Sequence, residues 1–305
     1  YSVDYAKKIF NEVSIHTITN GTFNDLHFNW LKENNSFVRI SFDSLVQKDQ
    51  RKFFDGSDSS GIVINNIKKI IEFGLPLAVQ TIITSKSVEK MNNIIKYLYD
   101  LGVRDIKLEP VYISDASRGQ EDLMIDVKKF SENFVNMIKF IKESNLHLLI
   151  DSSFISRPSM GFYCTMPEGN KIITPEGYMT SCVEISKVCE PHSDLLLYGK
   201  WNDKENKIIF DKDKLNKLSK LHFKNFAKCR NCNLKLICKG GCPMRRFWVM
   251  NNNLNQNTYS CLITKMILPQ ILKLISEDKE YSKILFHNFN IKFLLVLILT
   301  IATLV

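Results

Sequence analysis

Apolar positions along the first half of the chain alternate between two kinds of run. Val13–Thr19, Phe37–Phe42, Pro76–Ile83, Ile106–Tyr112 and a weaker Leu146–Ile150 are β-branched or apolar, flanked by Gly, Asn or Asp, and predict strands. Asp25–Glu33, Ile62–Phe73, Val88–Leu101 and Val127–Ser144 predict amphipathic helices between them. In the third of these, Met91, Ile94, Ile95 and Leu98 share one helical face, and Gly102 supplies the stop. Strand–helix alternation at this rhythm predicts parallel β/α units, whose chemistry gathers at the C-terminal ends of the strands. Those ends carry Thr19-Asn20-Gly21, Ser41 with Asp43, Thr84, and Glu109. One such residue commonly caps the next helix; four together mark a candidate site.

The pattern breaks at Asp151–Gly161, a Ser-, Arg-, Pro- and Gly-containing stretch that predicts a boundary. From there to Cys261 the chain reads as irregular, with short strand-like runs such as Lys171–Thr174, before helical periodicity returns over Leu262–Glu277. Residues 293–305 are uncharged and apolar but number only 13, against about 20 for a spanning helix, so no stable membrane insertion is expected. With 305 residues, 45% hydrophobic, the chain can bury two medium cores, which excludes disordered and low-complexity classes. A net charge of +9 invites a nucleic-acid reading, but only eight of the 41 basic residues are Arg and the Lys are scattered. Phosphate and base recognition favour clustered Arg, so a Lys-rich solvated surface and no nucleic-acid partner are expected, with charge alone in favour of the other reading.

Cysteine placement changes the picture most. All eight cysteines lie between Cys164 and Cys261, behind 163 residues that have none. The spacing Cys229-x2-Cys232-x5-Cys238-x3-Cys242 turns four thiols toward one centre, with Cys164, Cys182, Cys189 and Cys261 flanking it. A metal site follows, either iron–sulfur or structural zinc, and the absence of a companion His pair favours iron–sulfur. Such thiols must be kept reduced, which points to the cytoplasm.

The order Cys164-x12-Gly177-x4-Cys182, a gap, Cys229-x2-Cys232-x5-Cys238-x3-Cys242, then Cys261 resembles the SPASM domain of radical S-adenosylmethionine (SAM) enzymes that act on peptides and proteins. The first half resembles the later part of a radical SAM barrel. Thr19-Asn20-Gly21 is similar to its third strand end and Ile40-Ser41-Phe42-Asp43 with Arg51 to its fourth. Gln80 to Thr84, and Leu101 to Pro110, are similar to its fifth and sixth. The resemblance implies an α/β fold in which a partial (β/α)6 radical SAM barrel precedes an irregular α+β SPASM domain. The divisions would be residues 1–150 for the barrel part, 160–262 for the SPASM domain, 263–290 for a C-terminal helix and 291–305 for the apolar tail. The family's C-x3-C-x2-C motif and second-strand Gly-Gly-Glu-Pro are not in this sequence. An N-terminally incomplete enzyme, inactive by itself, is expected; a natural cluster-only remnant is the alternative.

By resemblance, Cys229, Cys232, Cys238 and Cys261 would hold a distal auxiliary 4Fe–4S cluster, and Cys164, Cys182 and Cys242 a nearer one. Cys189 would be its fourth ligand or a bystander. Ser41 and Arg51 would hold SAM, with Asn20 and Glu109 as further SAM or substrate contacts. Lys239, Arg245 and Arg246 would offset cluster charge. The implied activity is hydrogen abstraction from a peptide or protein by a 5′-deoxyadenosyl radical, with an electron donor such as flavodoxin or ferredoxin. Sulfatase-maturing members place an Asp base after the second cysteine; Val183 stands there, which implies another peptide modification. The competing reading is a non-catalytic iron–sulfur or zinc scaffold that binds a peptide.

Overall fold

Five short strands in the first half pair in chain order, each parallel to the next: β1 His16–Thr19, β2 Phe37–Ser41, β3 Leu77–Ile83, β4 Asp105–Pro110 and β5 Leu149–Asp151. They belong to a computed structural model that describes residues 2–112, 119–155, 162–250 and 258–285. The chain forms two units, one from described residues within 1–112, 122–153 and 269–285, the other within 119–121 and 154–268. The first is α/β, as the alternating pattern predicts. Its strands are shorter than the apolar runs: β1 starts at His16 rather than Val13, and β5 covers Leu149–Asp151.

Paired residues in parallel strands send their side chains to the same face. Ile40, Val79, Ile106 and Ile150 lie in one row and are 0–1% exposed. Helices Ser60–Phe73, Met91–Asp100 and Val127–Glu143 bury Val63, Ile67 and Ile70, then Ile94 and Leu98, then Phe130, Phe134 and Ile138, which completes this core. Asn24 and Asp126 cap their helices by accepting from the main-chain N–H groups of His27 and Lys129.

The loop after β1 is fixed by its glycine. Gly21 has φ +81°, and a Cβ there would stand 2.8 Å from Ile40 and 2.9 Å from Val63, both fully buried. Asn66 donates to the carbonyls of Gly21 and Phe23, 2.8 Å each, which ties the loop to the helix Ser60–Phe73.

The second unit has more regular structure than its apolar pattern predicts. β6 Ile172–Ile173, β7 Tyr178–Thr180, β8 Leu197–Asn202 and β9 Lys207–Phe210 form an antiparallel sheet in chain order. Gly177, at φ +77°, closes the first hairpin by donating to the Thr174 carbonyl. A small core of Met166, Met179, Ile185, Leu196, Tyr198, Leu218 and Met244 supports the sheet, so bound clusters are not the sole source of order there. Its strands are two to six residues long, too short for periodicity to announce them. Residues 286–305, which include the apolar tail and the end of the expected C-terminal helix, lie outside the described residues, as do 156–161 at the expected boundary. No helix among the described residues is long and apolar enough to cross a membrane.

Gly21→Ala is expected to destabilise the protein by about 2 kcal/mol or more, from left-handed strain plus overpacking. A lower denaturant midpoint with an unchanged slope checks this; an unchanged midpoint contradicts it.

Candidate metal centre and sheet face

Seven thiols fall into two sets. Cys164, Cys182 and Cys242 act electrostatically on one another, as do Cys229, Cys232, Cys238 and Cys261. All eight cysteines are free. Cys189 is exposed and joins neither set. The resemblance groups the same seven thiols, with Cys189 as a further ligand or a bystander.

Burial is the largest influence on these sulfurs. It pushes Cys164 and Cys238 up to about 11 and Cys182 up to about 12, and raises Cys229, Cys242 and Cys261. Cys164 is exposed as a residue, yet the position of its sulfur still makes burial the leading cause. These six raised thiols are thus protonated at neutral pH in the metal-free protein, and ion binding must release their protons.

Opposing burial, main-chain N–H groups point at the sulfurs with a repeated offset. Met166 donates to Cys164, Glu184 to Cys182, Gly240 to Cys238, and Met244 with Arg245 to Cys242. A donor two residues on stabilises the thiolate form of the same cysteine. The local folds make this possible: Ile185 N–H closes a turn on the Cys182 carbonyl at 3.1 Å, and Gly241 N–H one on Cys238 at 2.9 Å. The sulfur-only donor sets and their amide cradles fit iron–sulfur clusters. Among the described residues no three His, Cys, Asp or Glu side chains are already closed to ion-holding geometry.

The other face of the five-stranded sheet is polar. Ser41, Gln80, Lys107 and Asp151 occupy one row across β2 to β5, and Arg39 and Glu109 extend the same face. Lys107 Nζ stands 3.6 Å from Glu109 and 3.5 Å from Asp151. Glu109, 4% exposed, accepts from Ser153 N–H at 2.7 Å and Ser153 Oγ at 2.5 Å. Ser41 ends β2 half-buried on this face. Asn20 Oδ1 accepts from the main chain and hydroxyl of Thr22, so its carbonyl oxygen shapes its own loop.

Arg51 is engaged as well. Its Nε donates to Asp43 at 2.7 Å, and Asp43 also accepts from Ile82 N–H at 2.9 Å. Burial raises the Asp43 carboxyl above the usual range, and Arg51 opposes that shift. Gln47 accepts from Asp43 N–H and donates to Ser59, which binds the Arg51 carbonyl. This web holds residues 43–59 over the ends of β2 and β3. Sequence reasoning missed Gln80, Lys107 and Asp151 as companions. Polar residues at every second position of otherwise apolar strands were the available signal, since doubly covered parallel strands are normally apolar throughout.

No family model matches the chain. It is 22% identical to the cysteine-type anaerobic sulfatase-maturating enzyme of Clostridium perfringens strain ATCC 13124, over 83% of this chain and 69% of that enzyme. Among solved structures, anSMEcpe with bound AdoMet and the Cp18Cys peptide superposes with a TM-score of 0.70 at 19% identity, covering 87% of this chain and 76% of that one. The chain has the radical SAM/SPASM fold. Streptococcus suis SuiB bound to its precursor peptide SuiA shares the fold more distantly, with a TM-score of 0.53, 15% identity, and coverage of 80% of this chain and 59% of SuiB.

The raised thiols set a pH dependence for the metal-free protein. Below pH 9 they are neutral in both folded and unfolded chains, and their contribution to stability is fully present. Above it the unfolded chain ionises first, so stability should fall as pH rises from about 9 toward 12. Denaturation of chelator-treated protein in reductant checks this; a midpoint flat across that window contradicts it.

Proposed function

We propose that this chain belongs to a radical SAM/SPASM enzyme that modifies a peptide or protein and carries two auxiliary 4Fe–4S clusters. The observation that carries the reading is the separation of seven thiols into a set of three and a set of four, with main-chain N–H groups aimed at four of the sulfurs. Cys229, Cys232, Cys238 and Cys261 would hold one cluster, and Cys164, Cys182 and Cys242 the other, in a SPASM domain over residues 160–262. The clusters would supply electron transfer and SAM the hydrogen-abstracting radical in the assembled enzyme.

This chain's own residues would bind and orient. Ser41 and the Asp43–Arg51 pair stand at the strand ends where SAM would be held, and the polar row Ser41, Gln80, Lys107 and Asp151 offers donors and acceptors of both signs. A peptide substrate is supported by relatives that bind the Cp18Cys and SuiA peptides. Val183, which cannot take a proton, supports a modification other than formylglycine formation. A flavodoxin or ferredoxin is the expected electron source, and free thiols suit the reducing cytoplasm.

Anaerobic reconstitution should yield about eight irons and as many acid-labile sulfides per chain. Stoichiometric zinc with little sulfide would favour the scaffold reading instead. Cys238→Ala should lose about half of the iron, whereas Cys189→Ala should leave iron content and the electron paramagnetic resonance spectrum unchanged. Full iron in the first variant, or loss in the second, would overturn the ligand sets.

With no cysteine before Cys164, this chain by itself should not cleave SAM. Release of 5′-deoxyadenosine in the presence of a strong reductant would contradict that.

A further inference from the structure

Arg246 is 2% exposed, and a guanidinium so deeply buried is costly unless its donors are met. They are met in a directed way. Nε and Nη2 both donate to the Gly240 carbonyl, at 2.9 and 2.6 Å. Nη2 also stands 3.9 Å from Cys229 Sγ, and the guanidinium lies 4.6 Å from the centre of the Phe226 ring.

The carbonyl it grips belongs to a turn with little freedom. Gly240 has φ +81°, and Phe223 and Phe226 lie 3.1 Å from where a Cβ would be. Its N–H is the one aimed at Cys238, and the turn runs on to Cys242. One side chain therefore joins Cys229, at the end of a short helix, to the Cys238–Cys242 turn nine residues further along the chain.

We infer that Arg246 is the positioning residue of the four-thiol site, clamping the Cys238–Cys242 turn through the Gly240 carbonyl while it brings a charged N–H to the Cys229 sulfur. The inference rests on the cluster reading above and adds a specific consequence. A 4Fe–4S centre with four thiolates carries about −2 when oxidised and becomes more negative on reduction. A buried cation with a donor on one sulfur favours the reduced form, because little water screens it. Arg246 should thus raise the reduction potential of the four-thiol cluster and leave the other unaffected. Lysine cannot reproduce this, since one ammonium cannot grip the carbonyl twice in a planar fork while it reaches the sulfur.

The test uses wild-type chain, Arg246→Lys and Arg246→Gln, each reconstituted anaerobically with ferrous iron and sulfide. Iron and sulfide are counted, and both clusters are titrated by electron paramagnetic resonance. One midpoint should move to more negative potential in Arg246→Gln, and by less in Arg246→Lys, with the second midpoint unchanged. Selective loss of one cluster in either variant also supports the clamp. Two unchanged midpoints at full iron overturn it. Loss of both clusters in both variants overturns it too, because the residue would then serve the fold and not one site. Wild-type chain that takes up no iron would instead overturn the cluster reading itself.

Discussion

Sulfur held away from water is the constraint on which the second unit depends. Burial drives the thiols toward the neutral form, to about 11 or 12 at Cys164, Cys182 and Cys238. A thiolate there is tolerable only where donors or cations face it, and the chain supplies both. Amides two residues on reach four of the sulfurs, and Arg246 reaches a fifth at Cys229. Main-chain donors demand turns, and the turn at Cys238 uses Gly240, with φ +81°. The antiparallel sheet and its Met- and Leu-lined core then hold those turns in place.

In the first unit a different economy operates, set by strand alternation. The same residues that give β2 to β4 a fully buried face, Ile40, Val79 and Ile106, leave the intervening positions to polar side chains. Ser41, Gln80, Lys107 and Asp151 can be polar because the rows beside them carry the hydrophobic stabilisation. Asp43 departs from that division. It is buried and acidic, and it is held by Arg51 and the Ile82 amide at the strand ends, where a parallel sheet places chemistry.

Element type in the first unit was legible because its helices are long enough to show a face. Asp25–Glu33 matches the amphipathic stretch at both ends, and Val127–Glu143 differs by one residue. Strand boundaries were less so, since Val13 to Ile15 and Tyr112 continue apolar runs without continuing the ladder. The second unit hid its sheet because three of its four strands, at two to four residues, carry too few alternations to register.

The order and spacing of cysteines by themselves determined that several thiols would share centres, because short gaps limit how far apart their sulfurs can lie. Only the tertiary structure shows which thiols come near one another. Cys261 joins Cys229, and Cys242 joins Cys164 across 77 intervening residues, because chain reversals and not sequence distance bring them together. Cys189, seven residues beyond Cys182, stays exposed. The same holds for charge: Arg245 and Arg246 are adjacent in sequence, yet the clamp on Gly240 belongs to Arg246, because successive helix positions point about 100° apart.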